Sequence, residues 1–152
     1  MQRLWASLMA SQLGFVKSLP PTIKALSHVP GVWLVGSTAI PGAFGTKDID
    51  LLVEPQDWDR VSLWLAGLSS SKELLATEIN RFGSFKLTFV DFELDIWPQS
   101  LGSFLGLGPE KAFVFNLCSC RRYCIEGASA EQAAKATSAT LASFPIGANG
   151  QE

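Results

Sequence analysis

Two aspartates interrupt a short apolar run in the first half of the chain. Asp48 and Asp50 lie in residues 48–53, where the other four residues are aliphatic. This composition predicts a buried β-strand, a setting in which Asp is rare. Side chains two residues apart in a strand point to the same face, so both carboxylates project together. Adjacent carboxylates repel each other unless a cation lies between them. The spacing therefore predicts a Mg²⁺ site, with a solvated strand end as the alternative.

A turn rich in small residues precedes this strand. The apolar run from Val32 to Val35 predicts a central strand, and Gly36-Ser37 follows it directly. Glycine allows the backbone to adopt a left-handed conformation and to approach a ligand closely. Backbone N–H groups in such a turn are suited to binding the oxygens of phosphate. The alternative is a turn that only reverses the chain.

The order of these features resembles a known family. Gly36-Ser37, then Asp48-x-Asp50, then Asp95 in the alternating run from Phe92 to Trp97, resembles the nucleotidyltransferases of the DNA polymerase β superfamily. The GSTAIPG segment from Gly36 to Gly42 is similar to the corresponding turn of the GrpB-like branch. The resemblance covers roughly residues 30 to 98.

The resemblance implies an activity and a set of site residues. Such enzymes transfer a nucleoside monophosphate from a nucleoside triphosphate to a hydroxyl acceptor and release pyrophosphate. Asp48, Asp50 and Asp95 would be the catalytic carboxylates and would bind Mg²⁺ or Mn²⁺. Gly36 and Ser37 would bind the β- and γ-phosphates. Glu93 and Asp91 share the face of Asp95 by alternation, so the choice of Asp95 comes from the resemblance.

The chain also departs from the family pattern. Many minimal members have Arg-Gly in the turn, where this chain has Ile40-Pro41, and many have Ser where this chain has Lys47. We expect Lys47 and Lys86 to contact the triphosphate of the nucleotide. For both lysines, simple solvent exposure is the alternative.

The length of 152 residues predicts a single domain over residues 1–144, followed by a flexible tail over 145–152. The fold class is expected to be α/β (α+β), with a mixed sheet of four or five strands and helices packed mainly on one face. Apolar spacing predicts a helix over residues 2–18. The glycines predict a loop over residues 102–109. Arg121-Arg122 is expected in a solvated turn, with contact to a phosphate backbone as the alternative.

Composition limits the environment and the partners. The net charge of −2 argues against tight, sequence-independent binding of nucleic acid by this chain alone. No apolar run reaches the length of a membrane span, so no membrane partner is expected. Three cysteines, an odd number, favour a reducing compartment and buried thiols, so we expect a cytoplasmic protein.

The sequence leaves the acceptor open. A nucleic-acid 3′ end such as that of tRNA, a protein hydroxyl and a small molecule all fit the family reaction. With 47% hydrophobic and 17% charged residues and no visible acceptor domain, we expect a homodimer or a partner chain. The alternative function is a non-catalytic nucleotide-binding protein, or one half of a toxin–antitoxin pair, that retains the fold.

Overall fold

The computed structural model describes residues 5–7, 13–41, 47–68, 70–81, 83–106, 111–126, 133–137 and 140–141. The expected C-terminal tail, residues 145–152, lies outside this part of the chain. The described strands are β1 Trp5–Ser7, β2 Val32–Val35, β3 Asp48–Val53, β4 Leu74–Ile79, β5 Phe85–Phe89, β6 Glu93–Pro98, β7 Lys111–Asn116 and β8 Arg121–Glu126. The helices are α1 Leu13–Ser18, α2 Pro21–Lys24, α3 Trp58–Leu68 and α4 Leu101–Leu105, with 3₁₀ turns at Gly36–Ala39 and Pro55–Asp57.

In the described residues, the strands form one sheet in the order β1-β8-β7-β2-β3-β6-β5-β4. The β3–β6 pair is parallel, and every other neighbouring pair is antiparallel. The predicted mixed sheet of an α+β fold is therefore confirmed. The prediction of four or five strands is wrong, because the sheet has eight, including the three-residue edge strand β1.

The two faces of the sheet carry separate apolar cores. Alternation along β2 sends Val32 and Leu34 to one core and Trp33 and Val35 to the other. Side chains of α1, α2 and α3 pack on the first, which we call the helix face. Leu101 and other residues of α4 pack on the second, which we call the carboxylate face because it carries the predicted site. Helices α1, α2 and α3 thus lie on the helix face, whereas α4 and the helical residues 133–134 and 140–141 lie on the carboxylate face.

Three local predictions are wrong. The predicted helix over residues 2–18 is wrong as a continuous element, because Trp5–Ser7 pairs with β8; of the described residues in this range, Leu13–Ser18 are helical. Backbone pairing between strands overrides the helical spacing there. The predicted loop over residues 102–109 contains helix α4. Ser100 caps this helix by accepting a hydrogen bond from the Ser103 backbone N–H at 3.0 Å.

Arg122 is the third correction. It lies in β8 rather than in a solvated turn, and only 4% of it is exposed. Its Nε donates to the Ala39 carbonyl oxygen at 2.8 Å. Its guanidinium lies over the rings of Phe15 and Phe115, at 5.3 and 5.6 Å from their centroids. Burial lowers the pKa of Arg122. Arg122 therefore ties β8 to the end of the Gly36–Ala39 turn.

The three cysteines have no disulfide partner. Cys124 is buried, as expected for a core thiol, whereas Cys118 is exposed and Cys120 is half-buried. None of the described helices is long and apolar enough to cross a membrane.

A hydrogen bond between Trp33 and Glu54 joins β2 to the end of β3. It lies at the end of these strands that is far from Asp50. The fully buried indole Nε1 of Trp33 donates to Glu54 Oε2 at 2.5 Å, and Gln56 Nε2 donates to Glu54 Oε1 at 2.7 Å.

Trp33→Phe removes this donor and leaves a void, so we expect the free energy of unfolding to fall by about 2–4 kcal/mol. Urea unfolding measures the loss. Trp64→Phe, a half-buried control on α3, should cost less; an equal cost would show that the Glu54 bond adds nothing.

Candidate functional site

One row of side chains crosses the carboxylate face. Strand register places Val35 opposite Asp50, Asp50 opposite Asp95, Asp95 opposite Lys86 and Lys86 opposite Glu78. Neighbouring strands lie about 4.8 Å apart, so each member of the row adjoins the next. Two aspartates that are distant in sequence therefore meet on adjacent parallel strands.

Asp48 begins β3 on the same face and is opposite Glu93. Asp48 is exposed, and its backbone carbonyl accepts a hydrogen bond from Thr38 Oγ1 at 3.2 Å. The Glu93 backbone N–H donates to the Lys47 carbonyl oxygen at 2.6 Å. These bonds hold the beginnings of both strands against the Gly36–Ala39 turn and against each other.

Both facing aspartates have a raised pKa. For Asp50 the largest cause is burial, followed by the negative charge of Asp95 and, more weakly, that of Asp48. A hydrogen bond from the Trp97 side chain acts in the opposite direction. Burial also raises the pKa of Asp95, while Lys86 opposes this effect and Glu93 adds to it. Each carboxylate therefore carries a charge that its surroundings do not fully compensate.

Lys86 supplies positive charge beside this pair. Its Nζ lies 3.5 Å from Glu93 Oε2. The charge of Glu93 is the main cause of the raised Lys86 pKa, and Asp95 contributes less. Lys86 thus lies on the Asp95 side of the row, with its ion pair formed to Glu93.

Gly36 makes room for the Asp50 side chain. Its φ of +70° lies in the left-handed region that disfavours other residues. A Cβ at this position would lie 2.8 Å from Asp50 Oδ2, closer than a real contact allows. Gly36, which the sequence predicts to bind phosphate, is therefore also needed to leave room for the side chain of Asp50. Ser37 follows it and is exposed.

The structure adds residues that the sequence analysis missed. A cavity of about 290 Å³ adjoins Asp50 and includes Trp97, Gln99 and Phe104 in its lining. The same-face rule that pairs Asp48 with Asp50 would also have placed Trp97 beside Asp95. Phe104 could not be found in this way, because its segment reads as a loop.

The predicted site residues divide into two groups. Gly36, Asp50, Asp95 and Lys86 lie together on the row or next to it. Asp48 and exposed Lys47 line a more open groove of about 430 Å³ that also includes Asp91 and Glu93. Lys47 is therefore at the rim, next to Asp48 rather than in the cavity beside Asp50.

Among the described residues, no three His, Cys, Asp or Glu side chains converge closely enough to hold a metal ion by themselves. The donor set nevertheless fits Mg²⁺. Mg²⁺ prefers oxygen ligands and is commonly held by one or two carboxylates together with water and substrate phosphates. Asp50 and Asp95, opposite each other and raised in pKa, provide such a pair.

Comparison of the chain with models of known protein families gives no match. Comparison with curated proteins finds no similar sequence.

The carboxylate pair predicts an unusual dependence of stability on pH. Because the native pKa values of Asp50 and Asp95 are raised, the native protein binds more protons than the unfolded chain above the ordinary Asp pKa. The free energy of unfolding should therefore fall as pH rises from about 4 to about 7. Thermal melting in EDTA across this range measures the trend.

Asp50→Asn should reduce the fall in unfolding free energy at higher pH. The substitution removes the charge and keeps an oxygen that can accept a hydrogen bond from Trp97. We expect its melting temperature near neutral pH to exceed that of the wild type by roughly 2–4 °C per kcal/mol of repulsion removed. Asp91→Asn, an exposed control in the neighbouring groove, should change little. An Asp50→Asn protein that melts below the wild type in EDTA would contradict charge crowding at this site.

Gly36→Ala and Gly83→Ala separate backbone conformation from contact with Asp50. Both glycines have positive φ, +70° and +88°, so both substitutions should cost about 1–2 kcal/mol of unfolding free energy. A Cβ at Gly83 would meet no atom within 4 Å, whereas one at Gly36 would meet Asp50. Denaturant unfolding should show a larger loss for Gly36→Ala. Equal losses would mean that Asp50 moves aside at no cost.

Proposed function

We propose that this protein is a metal-dependent nucleotidyltransferase. It would transfer a nucleoside monophosphate from a nucleoside triphosphate to a hydroxyl acceptor and release pyrophosphate. The observation that carries the proposal is the register of β3 and β6, which sets Asp50 opposite Asp95 with Asp48 on the same face. The order of turn, Asp-x-Asp strand and third carboxylate strand also supports a nucleotidyltransferase fold.

The electrostatics support a cation at this position. Burial raises the cost of ionising both Asp50 and Asp95, and the charge of Asp95 adds to this cost at Asp50. A divalent ion would remove that cost and stabilise the native protein by mass action. Mg²⁺ or Mn²⁺ would be held by Asp50 and Asp95, with Asp48 contributing from the rim. Bound there, it would neutralise phosphate charge and lower the pKa of the acceptor hydroxyl.

The turn supports a role in binding phosphates. Gly36 has no side chain and lies next to Asp50, so an anion held by a metal at Asp50 would also meet the backbone of the turn. Ser37 is exposed and offers a hydroxyl beside it. Lys86, on the other side of the row, and Lys47, at the groove, would compensate the remaining negative charge of the triphosphate.

The proposed reaction is a displacement at the α-phosphorus, in which residues of this face would have distinct roles. The acceptor oxygen attacks the α-phosphorus, the bond to the oxygen that bridges to the β-phosphorus breaks, and pyrophosphate leaves with that electron pair. Asp95 lies opposite Asp50 in the row and would take the proton of the acceptor hydroxyl as a general base. Trp97 lines the cavity beside Asp50 on the same face.

The groove beside Asp48 is the natural approach for the acceptor. Its volume of about 430 Å³ is larger than that of the cavity at Asp50, and exposed Val90 and Asp91 line it. RNA, a protein segment or a small molecule would each fit an open groove of this kind. Leu75 and Ile79 on edge strand β4 are more than 60% exposed, which is consistent with the expected homodimer or partner chain.

The proposal predicts Mg²⁺-dependent turnover that requires the facing carboxylates. Wild-type protein incubated with mixed nucleoside triphosphates and total RNA or lysate should release pyrophosphate, and EDTA should abolish the release. Asp50→Asn and Asp95→Asn should each lower the rate at least about 100-fold, because each loses several kcal/mol of charge stabilisation. Labelled triphosphate in the same reaction identifies the acceptor.

Asp59→Asn is the matched control, since it removes an exposed carboxylate on α3, which packs on the helix face away from the site, and should leave turnover near normal. Near-normal turnover in both Asp50→Asn and Asp95→Asn would contradict the proposal. Triphosphate binding without turnover of any acceptor would instead favour the non-catalytic nucleotide-binding protein.

A further inference from the structure

The cavity beside Asp50 has a defined place in the fold. It lies where the end of β2, the middle of β3 and the end of β6 meet helix α4. Gly36 and Asp50 form one side, so the cavity opens directly onto the proposed site of phosphoryl chemistry. A molecule whose charged part lies over Asp50 would reach into this space with its other end.

The walls of the cavity are mostly apolar. Val35 and Leu52 are buried core residues of the carboxylate face, and Trp97 and Phe104 are half-buried rings packed against that core. Half-buried rings present part of their surface to the cavity. Aromatic walls favour a flat, weakly hydrated group.

Polar groups are few and fixed. Gln99 also lines the cavity, and its Nε2 donates to Ser103 Oγ at 3.1 Å. An amide can both donate and accept, so Gln99 is able to bond to the polar edge of a ring. Trp97 packs against the core of the carboxylate face. Walls held in this way lose little conformational freedom on binding.

The volume limits what can enter. Pockets that enclose whole drug-sized ligands begin at about 300 Å³. A cavity of about 290 Å³ therefore suits one single or fused ring rather than a complete nucleotide. The sugar and phosphates of a nucleotide would have to lie outside it, over Asp50 and the Gly36–Ala39 turn.

We propose that this cavity binds a planar heteroaromatic ring of the nucleobase class, with Trp97 and Phe104 as its stacking surfaces and Gln99 at its polar edge. The link to a triphosphate substrate rests on the proposed function, whereas ring binding itself does not. Stacking tolerates any base, so the cavity would favour purines over pyrimidines by ring area rather than select one base. An aromatic ring on the acceptor would satisfy the same chemistry.

The test uses the indole N–H resonance of Trp97 as a local probe. Of the five Trp indole signals, that of Trp97 is identified by its loss in Trp97→Phe. Adenosine, uridine, phenol and inorganic tripolyphosphate are titrated separately into the full chain with EDTA present, so neither metal nor turnover is needed. Adenosine should shift the Trp97 signal saturably and with higher affinity than uridine.

Two variants localise the binding. Phe104→Leu keeps an apolar side chain but removes the ring, and should weaken adenosine binding about tenfold, as expected for a lost base–aromatic stack. Phe85→Leu makes the same change at a half-buried ring on the helix face and should leave affinity unchanged. Val35→Ile adds a methyl group to the cavity and should weaken the binding of adenosine more than the binding of uridine.

The outcomes separate the ring cavity from the proposed enzyme. A phenol shift without a nucleoside shift would show a general aromatic site and refute the nucleobase assignment. Adenosine binding that depends on Phe104, in a protein that never releases pyrophosphate, leaves the cavity assigned and the proposed function refuted. The ring assignment fails if no ring compound shifts Trp97, if Phe104→Leu binds adenosine normally, or if tripolyphosphate alone reproduces the adenosine shift.

Discussion

The parallel pairing of β3 with β6 is the constraint on which the carboxylate face depends. A shift of one residue would turn Asp95 to the helix face, and a shift of two would set Asp50 opposite Glu93 or Trp97. Parallel strands need a long crossover connection. Here the connection contains α3 and the β4–β5 hairpin, and β5 brings Lys86 to the other side of Asp95.

The helix face secures this register. Ile49, Leu51, Leu94 and Ile96 alternate with the acidic residues of β3 and β6, and each is at most 1% exposed. Full burial of one such side chain contributes about 1.5–3 kcal/mol. Together they outweigh the cost of setting two half-buried carboxylates against each other on the opposite face. The sheet thus keeps Asp50 and Asp95 side by side although their charges repel each other. Functional sites often lower stability in this way.

Sequence patterns predicted the central elements well. Strands β2, β3 and β6 have apolar patterns that are visible locally, and same-face spacing placed Asp48 and Asp50 correctly. The size of the sheet was not predictable, because the pairing of β1 with β8 depends on residues more than 100 positions apart. Helix α4 and the cavity it covers were missed for a similar reason. Gly102 reads as a loop residue, but it lies in α4 with the Ala133 carbonyl too close for a side chain.

The most direct test of the central claim is to locate Mn²⁺ by its paramagnetic broadening of indole N–H signals. Trp97 lines the cavity together with Asp50, whereas Trp58 and Trp64 pack on the helix face. If Asp50 and Asp95 bind a divalent cation, Mn²⁺ should broaden the Trp97 signal selectively, excess Mg²⁺ should restore it, and Asp95→Asn should greatly weaken the effect. Equal broadening of all three signals, or selective broadening that persists in Asp95→Asn, would contradict a cation site between the facing carboxylates.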